Sequence, residues 1–304
     1  MSSAGDPRVV AARRGRELGP TLIVIGGVHG NEPAGLTAAR GVLGGVPDDA
    51  VRGEIVVLAG NRRALAAGQR YLARDLNRMW TAEQIAAARA ALAAGGAPEP
   101  EVVELVELAG AIDAALARAR GPVHLLDLHT TSAPGYPFAI VGPTAAHRAF
   151  ADAFPLTGIL GLDRVVTGVL SGYYGGLGCT ALAIEGGQHT TGAAAEQLAA
   201  VVTLGLEASG VVHAAPGAAA ARDQLIRARG GLPAMIEIAV RHPVVPGDGF
   251  RMAPGFANLH PTAAGTLLAH DAAGEIRAPF DGVLLLPRYQ PDGDDGFFYG
   301  RAVA

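Results

Sequence analysis

Two imidazoles and two carboxylates stand where apolar runs end, and together they could hold a divalent metal and work beside it. Thr21-Leu-Ile-Val-Ile-Gly-Gly-Val-His29-Gly-Asn-Glu32-Pro-Ala-Gly35 begins as a buried-strand pattern and ends in a glycine-punctuated turn. The H-x-x-E spacing of His29 and Glu32 offers two ligand types from one turn, and small neighbours leave room for an ion. A polar turn in which both residues merely cap the next helix would read the same way. In Pro122-Val-His-Leu-Leu-Asp127-Leu-His129-Thr the alternation puts Asp127 and His129 on one face. His129 is therefore a candidate third ligand, and Asp127 a candidate partner that orients it. A close pair plus one distant ligand is the arrangement of a catalytic zinc with an open fourth position. The run from Cys179 ends in Glu185-Gly-Gly, which suits a general base beside metal-bound water. A helix-capping glutamate is the structural alternative there.

The elements that must position these groups alternate in type. Strand 21–28, a helix over 33–43 opened by Pro33, and strand 54–60 give a β-α-β order, which favours a parallel sheet. Residues 8–12 read as an edge strand. Residues 61–80 are polar and arginine-rich, a long loop in which Asn77 and Arg78 supply an amide and a fork suited to a carboxylate. Alanine-rich helices follow over 81–94 and 100–120, with Glu101, Glu104 and Glu107 expected on a solvated face. Residues 158–178 read as glycine-rich loops over the site, with Tyr173 and Tyr174 as pocket walls. After residue 215 come a short helix and then short strands with frequent turn signals, Pro291-Asp-Gly among them, the mark of an all-β segment. The expected architecture is α/β: a mixed, largely parallel sheet flanked by helices over 1–229, and a smaller β domain over 230–304 bordering the cleft.

Composition narrows the function. The chain has 304 residues, 50% hydrophobic and 17% charged, with a net charge of −4, which argues against nucleic acid as the main partner. All 24 basic residues are arginine, so lysine chemistry is excluded. The single cysteine, Cys179, opens an apolar strand and permits no intrachain disulfide. No apolar run approaches the roughly 18 residues of a membrane span, and the N-terminal residues lack the apolar core of a signal peptide. A cytoplasmic protein is expected, and association with copies of itself is left open. No G-x-G-x-x-G follows the first strand, and no G-x-S-x-G is present.

Taken in order, His29-Gly-Asn-Glu32, Arg70 with Asp75-Leu-Asn77-Arg78, Asp127-Leu-His129-Thr and Ile184-Glu185-Gly resemble the succinylglutamate desuccinylase/aspartoacylase family, a branch of the zinc carboxypeptidase fold. The resemblance covers most of residues 21–190. It implies one zinc ion held by His29, Glu32 and His129, with Glu185 as base and Arg70 polarising the scissile carbonyl. It also implies Asn77 and Arg78 gripping the substrate carboxylate, and Tyr289 reaching in from the β segment. The implied substrate is a small N-acyl amino acid. A peptide carboxypeptidase and a non-catalytic binding protein of the same fold are the alternatives. One departure stands out: the arginine that binds the acyl-chain carboxylate in aspartoacylases has no counterpart in Ser171–Gly178, and Arg164 lies further upstream.

Overall fold

The computed structural model describes residues 8–189, 191–290 and 293–303. The lead-in before Arg8 and the start of the Pro291 turn lie outside them. The first half runs β1 (Val9–Arg14), β2 (Thr21–Gly26), α1 (Ala34–Gly44), β3 (Glu54–Ala59), α2 (Arg62–Ala67), α3 (Ala82–Ala93), α4 (Pro100–Arg118) and β4 (Val123–Thr131). It continues with β5 (Phe138–Val141), α5 (Ala145–Ala151), β6 (Thr157–Leu160), α6 (Leu170–Gly176), β7 (Thr180–Gln188), α7 (Gly192–Ala208) and α8 (Ala218–Arg229). The C-terminal strands are β8 (Met235–Pro243), β9 (Arg251–Met252), β10 (His260–Thr262), β11 (Leu267–Asp271), β12 (Gly274–Arg277), β13 (Gly282–Leu285) and β14 (Asp295–Val303).

One 11-stranded sheet, ordered β1-β3-β2-β4-β7-β5-β6-β8-β14-β13-β10, carries nearly everything. Strands β3, β2, β4 and β7 are parallel, so their carboxyl ends share an edge. The apolar runs look continuous because both faces are covered. Leu22 and Val24 of β2 face a core built with α1, α5, α7 and α8. Ile23 and Ile25 face the opposite core, built with α3, α4 and Trp80. The expected edge strand is β1, which pairs only with β3.

Beyond residue 229 the sheet does not stop. Strand β8 is hydrogen-bonded to β6 in parallel and to β14 in antiparallel fashion. Strands β12, β11 and β9 form a separate three-stranded sheet. Two further cores, around Phe138, Ile236 and Phe298 and around Phe250, Leu268 and Tyr299, fill this end.

Three expectations from the sequence are corrected here. Residues 61–80 are not one long loop. Asn61 accepts a hydrogen bond from Ala64 N at 3.1 Å to cap α2, and Gly68, at φ +64°, ends it in the left-handed region. Glu101 and Glu104 are not solvated; both are completely buried. Glu101 accepts from Leu72 N (2.7 Å), Ala73 N (3.0 Å) and Asn61 Nδ2 (3.0 Å). Glu104 accepts from Arg8 (2.7 Å), Arg63 (2.7 Å) and Arg62 N (3.0 Å). Glu107, partly exposed, is 2.6 Å from Arg8. The helical period did set an apolar face, but these carboxylates face the segment between β3 and α3 and tie its backbone down. Finally, residues 158–178 contain β6 and α6, and Tyr174 is fully buried, 5.8 Å between ring centroids from Trp80. Tyr173 packs against the same core, so neither tyrosine walls a pocket.

Candidate metal centre

His29 reaches its place because β2 ends in a turn that only small residues permit. Gly27 adopts φ +71°, and a Cβ on Gly30 would collide with the backbone of Ala64. The turn closes with Glu32 N donating to His29 O at 3.1 Å. His29 Nδ1 lies 3.0 Å from Glu32 Oε1, and His129 Nδ1 lies 3.2 Å from Glu32 Oε2. The opposite ring nitrogens are also anchored. His29 Nε2 is 3.1 Å from Asp75 Oδ1, and His129 Nε2 is 3.2 Å from Asp127 Oδ2. Each imidazole therefore has a carboxylate behind it that fixes its orientation. Thr130 N donates to Glu32 Oε2 at 3.0 Å.

One ligand atom from each of His29, Glu32 and His129 falls within 4.8 Å of the others, all three residues being buried. The chemistry of this donor set, two imidazoles and a carboxylate, fits a zinc-type ion. Charge argues the same way. Glu32, Asp75, Asp127 and Glu185 crowd a buried space in which Arg70 is the nearest fixed cation. Without an ion, protonated histidine must balance them. Burial would lower the His129 pKa, yet Asp127 and Glu32 hold it well above its ordinary value. Burial likewise opposes ionisation of Glu32 and Asp75. The neighbours together outweigh that, His29 and His129 at Glu32 and His29, Arg70 and Arg78 at Asp75, so both sit well below the usual carboxylate range.

Glu185 is different. It is the register partner of His129 on the neighbouring parallel strand, so the two side chains share a face. Burial pushes its carboxyl up to about 7, and the positive charge of His129 only partly offsets this. Its Oε2 is buried with no hydrogen-bond partner. Arg70 is 2.8 Å from Asp75 Oδ2 and 3.7 Å from Glu32 Oε1. Asn77 Oδ1 accepts from Leu170 N at 2.9 Å, and its Nδ2 lies 3.5 Å from His129 Nε2. Arg78 reaches across to β14 and pairs with Asp295 at 2.8 Å. These residues line a cavity of about 140 Å³.

The cavity thus brings together His29, Glu32, His129, Glu185, Arg70, Asn77 and Arg78. It does not include Tyr289, whose hydroxyl donates to Ala253 O (2.8 Å) and accepts from Phe256 N (3.0 Å). Arg164 is exposed and paired with Glu237 at 2.6 Å, away from the lining. Two contributors escaped the sequence reading. Asp75 sat inside the Arg70–Arg78 block without a role, and only its contact with His29 gives it one. Asp295 belongs to a Gly293-Asp-Asp-Gly stretch that read as a turn, and no sequence signal ties it to Arg78. Cys179 is buried, which pushes its thiol up to about 11, so it is no ready nucleophile.

The fold and this cluster define an α/β protein with a candidate metal centre at the carboxyl ends of its parallel strands. A profile of the succinylglutamate desuccinylase/aspartoacylase catalytic domain matches residues 18–207, and the chain belongs to that family. Succinylglutamate desuccinylase of Burkholderia thailandensis is 33% identical over 112 residues, which is 36% of this chain and 30% of the relative. A solved succinylglutamate desuccinylase/aspartoacylase from Rhodobacter sphaeroides is similar in fold. It has 19% identity, covers 96% of this chain and 88% of that one, and gives a TM-score of 0.67. The product-bound ectoine utilization protein of Ruegeria pomeroyi covers 95% and 87%, with 18% identity and a TM-score of 0.65. No helix among the described residues is long and apolar enough to cross a membrane.

Proposed function

We propose that this protein hydrolyses the amide bond of a small N-acyl amino acid, using one zinc ion held by His29, Glu32 and His129. The observation that carries the reading is the unpartnered Glu185 Oε2, buried beside two histidines that converge on one carboxylate. Bound there, a zinc ion would supply Lewis acidity and lower the pKa of a water to roughly 7. Everything else falls to the chain itself. Asn77 and Arg78 bind the substrate carboxylate and set the amide in place, which turns remote binding energy into orientation. Arg70 faces the carbonyl oxygen and stabilises the charge that develops on it. Glu185 takes a proton from the attacking water and returns it to the amide nitrogen as the C–N bond breaks, releasing a carboxylate and an amine.

The test is a panel of N-acetyl, N-succinyl and N-formyl amino acids with the metal-loaded protein, run alongside metal analysis. Turnover that stops in Glu185→Gln while bound zinc stays stoichiometric supports the reading. Bound zinc with no turnover on any member favours a non-catalytic binding protein, and cleavage confined to peptides favours a carboxypeptidase.

A further inference from the structure

Glu185 lies in a row that crosses the sheet. Its register partner in β4 is His129 and in β5 is Phe138, and on the same face Ala183 pairs with Ile140. Paired residues project to one side, so the carboxylate divides two surfaces. Toward β4 lie imidazoles and carboxylates. Toward β5 the cavity wall is Ile140, Leu162, Val166, Val169, Leu286 and Phe298. Behind this wall Phe138, Ile159, Ile238 and Leu285 continue the apolar packing.

Among the described residues of the lining, the arginines are Arg70, Arg78 and Arg288; the first two are held by carboxylates, and the third is turned toward a backbone oxygen and an aromatic ring. Arg70 is held by Asp75 and Glu32, and Arg78 by Asp295. Arg288 donates to Gly293 O at 2.7 Å and lies 5.3 Å above the Phe250 ring. Arg78 keeps a buried Nε–H that makes no hydrogen bond and has only the Asp294 carboxylate 3.8 Å away, so it can serve one substrate carboxylate. A second carboxylate directed at the wall beside β5 would meet hydrocarbon, and Asp294 and Asp295 also line the cavity. An unpaired charge does not settle in such a place.

The apolar wall is also fastened to the residues assigned to the carboxylate. Leu170 N donates to Asn77 Oδ1 at 2.9 Å, and Trp80 N donates to Gly168 O at 3.0 Å. An amino acid's side chain and its carboxylate share the α-carbon. Val166 and Val169 are the part of the apolar wall tied to the Asn77 and Arg78 end of the cavity. We infer that the amino acid released carries an uncharged hydrocarbon side chain, of the leucine, methionine or phenylalanine type, rather than a second carboxylate. This rests on the hydrolase reading and adds the substrate class to it.

The deciding comparison is kcat/KM of the metal-loaded protein for N-acetyl-leucine and N-acetyl-phenylalanine against N-acetyl-aspartate. The ratio should favour the apolar substrates by about 10- to 100-fold, since the apolar wall offers a second carboxylate no partner. An equal or inverted ratio overturns the inference while leaving the hydrolase reading intact. Ser171 is partly exposed in the first turn of α6 and lines the cavity, so Ser171→Arg adds a cation without opening a core. That variant should shrink the ratio at least tenfold, and an unchanged ratio counts against the wall as the side-chain site. Product binding needs no turnover: leucine should bind more tightly than aspartate by calorimetry. If no substrate is cleaved, the hydrolase reading fails, and tighter aspartate binding would then overturn this inference on its own.

Discussion

Buried carboxylates occur in two regions of this molecule and live under opposite conditions. Glu101 and Glu104 on α4 are saturated: backbone amides, Asn61 and the arginines Arg8 and Arg63 take up their oxygens. At Glu104 burial works against the charge, but Arg8 more than compensates and the carboxyl stays below its ordinary value. Glu185, partly exposed as a residue, keeps one buried oxygen without a partner and rises to about 7. A buried acid whose hydrogen bonds are all met is a fastener. One left with an open oxygen beside a cluster of potential ligands is poised to exchange a proton. The deeper pair is the more fully answered, so what decides the role is whether the oxygens have partners.

The contrast can be broken by exchanging the consequences of losing each acid. Glu185→Gln should lower turnover by about 10²–10⁴-fold and leave both zinc content and the unfolding midpoint nearly unchanged. A variant that unfolded early would make Glu185 a fastener after all. Glu104→Ala should do the reverse and cost about 1–3 kcal/mol of stability in denaturant titration, because Arg62 N loses its acceptor and Arg8 keeps Glu107 in place of two carboxylates. Stability within experimental error of the parent would show that Glu104 fastens nothing.

A finer test concerns the carboxylates behind the histidines. Asp127→Asn keeps the shape next to His129 but removes the charge, so zinc affinity should fall about 10- to 100-fold in a chelator competition. Unaltered affinity would reduce Asp127 to packing. The smallest effect is in pH dependence. In the metal-free protein Glu185 keeps its proton up to about pH 7, whereas the unfolded chain loses it near 4.5. The folded state then binds more protons between those values, so stability from this group is full below 4.5 and is lost as pH rises toward 7. Relative to Glu185→Gln, the parent should weaken across that window, and parallel curves would contradict the raised value.

The sequence made the parallel core and four of the site's groups readable because strand ends announce themselves. His29, Glu32, His129 and Glu185 each close an apolar run, and the sheet brings their ends to one edge. Glu101 and Glu104 were misread because helical spacing describes a helix's own faces and not what packs on them. Arg8, the counter-charge, comes from an edge strand at the far end of the sequence. Asp295 was hidden for the same reason: its bond to Arg78 spans 217 residues. Tyr289 lay near the right segment, but its hydroxyl is spent on a local turn. The apolar wall was out of reach too, since it forms only where β5, the residues before α6 and β14 meet.

Strand β8 carries one more consequence. Laced to β6 on one flank and to β14 on the other, it makes the last quarter of the polypeptide a rigid extension of the sheet that bears Glu185. A hinge there would have to tear two ladders of backbone hydrogen bonds at once.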